Sequence, residues 1–177
     1  MDSEIIQDTE SAKRREPNFD INYVSYQGSW TLFLLAVRYR RQELVDYLLK
    51  DPNINVNYRD YYCIPTSICE NASILKSLLK HKDINVNVQN YDEQTVLHLA
   101  CYNNQIEIAG EVLLDARVDI LIRDYWKETA LDIAKRCKYH EIANILKKVL
   151  RTPLLRIPNR VLCRDIIRMI IEEYVSL

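Results

Sequence analysis

The stretch Thr-Val-Leu-His-Leu-Ala at residues 95–100 decides the fold of this chain. Two further copies begin at Thr31 (Thr-Leu-Phe-Leu-Leu-Ala) and at Thr129 (Thr-Ala-Leu-Asp-Ile-Ala). A weaker copy begins at Ile64 (Ile-Pro-Thr-Ser-Ile-Cys), so that the four starts are separated by 33, 31 and 34 residues. A self-similar period of this length is typical of proteins built from stacked structural repeats.

Each copy is followed by a second apolar segment, in which apolar residues recur at i, i+3 and i+4. This spacing predicts amphipathic helices, and the segments lie at residues 44–49, 74–79, 108–113 and 142–146. Linkers that mix Asn and Asp with β-branched residues follow the first three helices, which favours loops and short hairpins. A single unit of about 33 residues cannot bury its own apolar face, so the units must stack on one another.

Helix, turn, helix and hairpin at this period resemble the ankyrin repeat, and residues 95–100 with Ile-Asn-Val-Asn at 84–87 are similar to its signature. The resemblance covers residues 19–150 and implies an all-α ankyrin-repeat solenoid of about four repeats, with motif starts near residues 31, 64, 95 and 129. It implies that the Thr at the motif start caps the first helix, and that His98 bonds to the backbone of the neighbouring repeat.

Residues 1–18 are mostly charged or polar and predict a flexible tail, and residues 151–177 predict a C-terminal helical appendix that acts as a cap or as a functional box.

The family usually places glycine before the Thr motif and between the two helices of a repeat, but this chain has only 2 glycines. We therefore expect hairpins that are strained or differently shaped where other residues take the glycine position. The residues at that position are Ser29, Tyr62, Glu93 and Lys127. Asn104, between two predicted helices, tolerates the left-handed backbone conformation well.

Composition restricts the classes of function. The chain has 177 residues, 48% of them hydrophobic, and a formal net charge of -1, so it has no general attraction for nucleic acid or anionic membranes. Its longest apolar run, residues 32–37, is too short to span a bilayer, and its N-terminus lacks a secretory pattern. We expect a protein that is cytoplasmic, or nuclear by diffusion, with no nucleic-acid or membrane partner.

Residue patterns that support catalysis or metal binding are not found. Five cysteines include no pair at C-x-x-C spacing, and no two of the three histidines lie four residues apart. Cys137 follows two basic residues, but no His and acid are defined that would complete a catalytic triad with it. We therefore expect no enzyme activity, no cofactor, no metal and no catalytic residue.

The resemblance also implies where a partner binds. Ankyrin proteins generally use the concave face, which is made from hairpin tips and from exposed positions of the first helix in each repeat. Tyr, Trp and Arg, which are enriched at interface hot spots, are frequent at the matching positions of this chain. The predicted contacts are Trp30, Arg38, Tyr39, Tyr61, Tyr91, Asp92, Tyr102, Tyr125, Trp126 and Arg136. In the alternative interpretation, several of these aromatic residues only cover the seams between repeats.

These features indicate a monomer that binds a protein partner in a regulatory or adaptor role. The C-terminal appendix allows two further functions. Leu-Cys-Arg at residues 162–164 with Ile-Arg at 167–168 resembles the SOCS box, which binds elongin. Ile-Pro at 157–158, followed by apolar pairs, resembles the F-box-like ends of poxvirus ankyrin proteins, which recruit Skp1. Either resemblance implies a substrate receptor of a cullin-type ubiquitin ligase, with adaptor contacts from Leu162, Cys163, Ile166, Ile167 and Ile170.

Two other interpretations of the chain stay open. The appendix can be a helix that closes the open end of the repeat array, since terminal repeats need special closure. The repeats alone can also serve as a viral decoy that resembles inhibitors of NF-κB.

Overall fold

The structure is a computed structural model that describes residues 2–16, 18–24, 30–57, 71–152 and 160–175. Within these ranges the chain forms nine α-helices and no β-strand. None of these helices combines the length and the apolar content that a membrane span requires. The bounds are α1 Asp2–Arg15, α2 Leu32–Arg38, α3 Gln42–Leu48, α4 Ala72–Leu79, α5 Val96–Tyr102, α6 Ile106–Leu113, α7 Ala130–Arg136, α8 His140–Arg151 and α9 Arg160–Val175.

The chain divides into two compact units. The first, Met1–Ile84, contains α1 to α4, with α2 against α3 and α3 against α4. The second, Asn85–Leu177, contains two helix–turn–helix pairs, α5 with α6 and α7 with α8, and in it α5 also packs against α7. Helix pairs of this kind confirm the predicted all-α ankyrin-type fold class.

The apolar stripes predicted from the sequence form the cores of both units. In the first unit, Phe33, Leu44, Leu48, Ile74 and Leu78 are almost completely buried. In the second unit, the side chains that are almost completely buried include Ile133, Ile142, Ile145 and Leu146. Burial of each such side chain stabilises the fold by about 1.5–3 kcal/mol.

Threonines begin the first helix of each described repeat, as the family resemblance implies. The Oγ1 atom of Thr31 accepts a hydrogen bond from the backbone N–H of Leu34 at 3.2 Å. At Thr129 the cap is reciprocal, since Asp132 N–H donates to the Thr129 hydroxyl while the Asp132 carboxylate accepts from the Thr129 N–H. These bonds satisfy backbone donors that have no partner inside the helix.

Asparagine side chains link successive repeats inside each unit. In the second unit, the Nδ2 of Asn87 donates to the Arg117 carbonyl and its Oδ1 accepts from the Asp119 N–H, both at 2.8 Å. Asn22 makes the same pair of bonds to Asn53 and Asn55 in the first unit. The asparagine of one linker therefore holds the backbone of the next.

In the part of the chain that the structure describes, five residues other than glycine have a left-handed backbone. Glu93 (φ 57°) and Lys127 (φ 63°) lie where the family places glycine before the motif. Arg40 (φ 54°), Asn104 (φ 53°) and Lys138 (φ 61°) lie in the turn between two helices. The predicted strain is therefore found at Glu93 and Lys127, and the prediction for Asn104 is confirmed, whereas Ser29 and Tyr62 lie outside the described residues.

The prediction of a flexible tail over residues 1–18 is wrong for residues 2–15, which form α1. This helix packs against α3. Lys13 forms an ion pair with Asp51 at 2.5 Å and lies 5.4 Å from the centroid of the Tyr47 ring. Asp2 pairs with Arg41 at 3.5 Å. The charged residues that suggested disorder therefore find partners on the first repeat, and no single-sequence pattern shows such long-range pairs.

The predicted appendix contains α9, which packs against α8 and α6. Ile167 is buried, and Ile171 lies directly over Gly110 of α6. A Cβ atom on Gly110 would lie 3.3 Å from the Ile171 Cδ1 atom, so the absence of a side chain allows the two helices to approach closely. The helix is therefore docked on the second helices of the last two repeats.

Candidate partner-binding surface

Among the described side chains of the second unit, four large aromatic ones are exposed. Tyr91 and Tyr125 lie at the tips of the hairpins that precede α5 and α7, and Trp126 follows Tyr125 in the same tip. Tyr102 is the last residue of α5. Their exposed fractions are 70% for Tyr91, 53% for Tyr102, 64% for Tyr125 and 60% for Trp126. We call these four residues the aromatic surface; their exposure argues against a role in covering seams between repeats.

Each hairpin that carries this surface is closed by backbone hydrogen bonds. The N–H of Asn90 donates to the Gln94 carbonyl, and the N–H of Asp124 donates to the Glu128 carbonyl, both at 2.9 Å. The carboxylate of the buried Asp124 accepts a further bond from the Glu128 N–H at 2.9 Å. The tips are therefore fixed relative to the helices that follow them.

The two tips are also tied to each other. The N–H of Tyr125 donates to the Asp92 carbonyl at 2.9 Å. Tyr125 and Trp126 stack edge to face, with ring centroids 5.7 Å apart and planes at 85°. Such a pair is a favourable aromatic geometry, so these side chains lose little conformational freedom when a partner binds.

A groove of about 690 Å³ lies beside the aromatic surface. Tyr102 and Trp126 line it, together with Leu99, Asp92, Gln94, Glu128 and Arg136. The structure therefore brings four predicted contact residues, Asp92, Tyr102, Trp126 and Arg136, to one depression. Sequence reasoning missed Gln94, Leu99 and Glu128; the only signal for Gln94 and Glu128 was their position directly before the Thr motifs.

One ion pair fixes the polar side of the groove. The guanidinium of Arg136 donates three hydrogen bonds of 2.8–3.1 Å to the two carboxylate oxygens of Glu128. The bonds to Glu128 raise the pKa of Arg136 above its usual value. Two-point contacts of this kind hold both side chains in one geometry.

His98 lies behind this surface and is buried. Its Nδ1 atom lies 2.8 Å from the Thr95 hydroxyl oxygen, and its Nε2 atom lies 3.3 Å from the Glu128 carbonyl oxygen in the next repeat. Burial lowers the pKa of His98, because the charged imidazolium is poorly solvated there. The predicted role of His98 as a link between repeats is confirmed.

The predicted contacts in the first unit form a smaller group. The guanidinium of Arg38 lies 4.8 Å from the centroid of the Trp30 ring, and Trp30 is half-buried. Tyr39 is exposed. Tyr61 lies outside the described residues. The distance between Arg38 and Trp30 is that of a cation–π contact, so these two side chains stabilise each other.

The predicted adaptor contacts lie on α9. Ile167 is buried against the repeats, while Ile166 and Ile170 are half-buried. The side chains of Leu162 and Cys163 lie outside the described residues. In this structure, therefore, Ile167 is not accessible to another protein.

The described residues also include two cysteines outside any disulfide bond, Cys101, which is buried, and Cys137, which is half-buried. The same residues contain no group of three or more His, Cys, Asp or Glu that could hold a metal ion.

Known proteins are similar to this chain along its repeats. The family described as ankyrin repeats in three copies matches residues 66–151, and the single ankyrin repeat matches residues 29–61. An alpha-latrotoxin of Latrodectus hesperus is 41% identical over 69 residues, which are 39% of this chain and 5% of the toxin. An ankyrin repeat protein of fowlpox virus is 34% identical over 138 residues, which are 72% of this chain and 40% of the viral protein.

A glutaminase of Caenorhabditis elegans is 34% identical over 71 residues, which are 38% of this chain and 11% of that protein. The chain thus spans less than half the length of each of these relatives. The two family matches, by contrast, together cover more than half of this chain. The chain belongs to the ankyrin-repeat family.

Proposed function

We propose that this chain is a non-enzymatic binding module that holds one protein partner on its aromatic surface, in a regulatory or adaptor role. Ankyrin repeats generally mediate binding between proteins, and they are typically not enzymes. The observation that carries the proposal is the exposure of Tyr91, Tyr102, Tyr125 and Trp126, each of which is more than half exposed. In this proposal the protein acts as a monomer in the cytoplasm, with access to the nucleus, which agrees with the reduced state of Cys101 and Cys137.

The energetics of the surface favour this function. Exposure of large apolar groups to water is unfavourable, and contiguous groups of them on a protein surface mark interaction sites. Aromatic anchors at interfaces often contribute more than about 2 kcal/mol each. Because hairpin bonds fix Tyr125 and Trp126 in advance, little ordering of side chains opposes their burial.

Affinity purification with mass spectrometry tests the proposal. A triple variant, Tyr91→Ala with Tyr125→Ala and Trp126→Ala, is compared with the wild-type chain after both are shown to be folded. The control triple changes exposed apolar residues elsewhere, Tyr23→Ala, Leu121→Ala and Met169→Ala. We expect at least one partner to be lost with the surface variant and kept with the control, with affinity at least about tenfold weaker. Retention of every partner by the surface variant, or equal loss of partners with both variants, would contradict the proposal.

A ligase receptor is the second candidate function. It is favoured by α9, a helix of 16 residues that carries Ile166, Ile167 and Ile170 of the adaptor motif. Because Ile167 is buried against the repeats, binding of elongin or Skp1 through it requires α9 to exchange these contacts for the adaptor.

Co-purification decides between the candidates. We compare the full chain with a truncation that ends at residue 152. Elongin or Skp1 that is lost only on truncation would support a ligase receptor, and their absence from the full chain would reject it. A Rel-family protein lost only with the surface variant would identify the partner of a decoy for NF-κB.

A further inference from the structure

The groove beside the aromatic surface has an unbalanced charge. Its lining contains two carboxylates, Asp92 and Glu128, and one guanidinium, Arg136. Glu128 is neutralised, since both of its carboxylate oxygens accept hydrogen bonds from Arg136. The carboxylate of Asp92, in contrast, has no hydrogen-bond or ion-pair partner among the residues that the structure describes. The groove therefore has one negative charge in excess, at the tip of the hairpin that precedes α5.

One amide, that of Gln94, together with aromatic and apolar groups provides the rest of the lining. Leu99 is almost fully buried, whereas the rings of Trp126 and Tyr102 remain more than half exposed. An aromatic face attracts a cation, by about 0.5–1 kcal/mol at an exposed site and by more when the site loses water. A flexible aliphatic side chain that ends in a positive charge can contact the apolar part of the lining with its stem and the aromatic faces with its charge.

Other occupants of the groove fit less well. An acidic side chain would meet Asp92 and would find Arg136 already bonded to Glu128. A purely apolar side chain would remove water from the Asp92 carboxylate without replacing its hydrogen bonds, which is unfavourable. Charge complementarity thus selects a cation.

We propose that this groove binds one arginine or lysine side chain of the protein partner, which stacks on Trp126 and pairs with the carboxylate of Asp92. The inference rests on the proposed function and adds the chemistry of its central contact. Arginine fits best, because its flat guanidinium can stack on an aromatic face and bond to a carboxylate at the same time.

A random-sequence peptide library displayed on phage tests this inference with the full chain as target. Peptides that bind the wild-type chain but not the Trp126→Ala variant are sequenced, and the tightest is synthesised with its basic residue or with a neutral replacement, citrulline for arginine or norleucine for lysine. Both peptides are titrated against the wild type and against Asp92→Asn. Asp165→Asn, which removes an exposed carboxylate on α9, is the matched control.

We expect the neutral peptide to bind the wild type and the control about tenfold more weakly than the basic peptide, and Asp92→Asn to reduce this difference to about twofold or less. Trp126-dependent peptides without a basic residue, or a difference that Asp92→Asn leaves unchanged, would overturn the inference while the proposed function stands. A complete lack of Trp126-dependent peptides would also overturn it, whereas the proposed function is decided separately by co-purification.

Discussion

His98 is a single residue whose ionisation affects the stability of the fold. Burial lowers the pKa of His98 in the folded chain, while the pKa in the unfolded chain is about 6.5. Between these two values the unfolded state binds more protons than the folded state, so the free energy of unfolding decreases as the pH falls. This loss begins near pH 6.5 and ends once the pH is below the folded pKa.

Denaturant titrations from about pH 7.5 to about pH 5 measure this effect. We expect the stability of the wild type to decrease over that range, and the stability of a His98→Gln variant to vary less, although that variant is weaker at neutral pH. His140→Gln changes an exposed histidine and serves as the control. An identical pH dependence in the wild type and in His98→Gln would contradict the assignment.

Lys138 illustrates a second effect at the residue scale, the cost of a left-handed backbone at a residue with a Cβ. Its φ is 61°, and glycine adopts this conformation without the steric penalty of about 1–2 kcal/mol. We expect Lys138→Gly to raise the free energy of unfolding by roughly 0.5–1 kcal/mol after the greater entropy of unfolded glycine is deducted. Lys80→Gly makes the same change at φ -73° and should lower stability. A change of the free energy of unfolding in the same direction for both variants would disprove this account.

At the scale of elements, α9 docks on α8 and α6, and its contact with α6 is a close one. Gly110 of α6 leaves the space in which Ile171 lies. A leucine at position 110 would fill that space, so we expect Gly110→Leu to displace α9 and to reduce the protection of its amides from hydrogen exchange at least tenfold. The amides of α5 and α7 should keep their protection.

A compensating change sharpens this experiment. Ile171→Ala shortens the side chain that leucine would strike, so the double variant should recover part of the protection of α9. Gly110→Ala is the mild control, since its methyl group requires Ile171 to shift by only a few tenths of an ångström. Unchanged exchange of α9 in Gly110→Leu would show that the contact does not hold the helix.

At the scale of the whole molecule, stability in a repeat protein is the sum of the repeats and of the interfaces between them. Asn87 makes two hydrogen bonds to the backbone of the next linker in the second unit. We expect Asn87→Ala to lower the free energy of unfolding by about 2 kcal/mol, since each bond contributes about 1 kcal/mol. Asn103→Ala, at an exposed position, should change it by less than about 0.5 kcal/mol. A similar small loss for both would mean that the asparagine bonds contribute little.

Most of this fold could be predicted from the sequence because its signals are local. The period of the Thr motifs and the spacing of apolar residues predicted the helix pairs and their buried stripes, and the family resemblance implied the role of His98. Helix α1 was missed because its stabilising partners, Asp51 and Arg41, are distant in sequence. The local composition of residues 2–15 indicates disorder, but ion pairs and packing against α3 stabilise these residues as a helix.

The candidate site was predictable only in part. Alignment of the repeats indicated which residues lie at hairpin tips, and thus the exposure of Tyr91, Tyr125 and Trp126. It could not show that Glu128 would neutralise Arg136 and leave the carboxylate of Asp92 without a partner among the described residues, because side-chain geometry between repeats decides this.

The hydrogen bond between the two hairpin tips has a consequence for how such a surface can change over generations. It joins the N–H of Tyr125 to the carbonyl of Asp92, which are main-chain atoms that nearly every amino acid supplies. Any residue except proline at position 125 can donate this bond. Mutation can therefore replace the side chains at the tips while the backbone that presents them keeps its structure. Related proteins can in this way acquire new partners and keep the same fold.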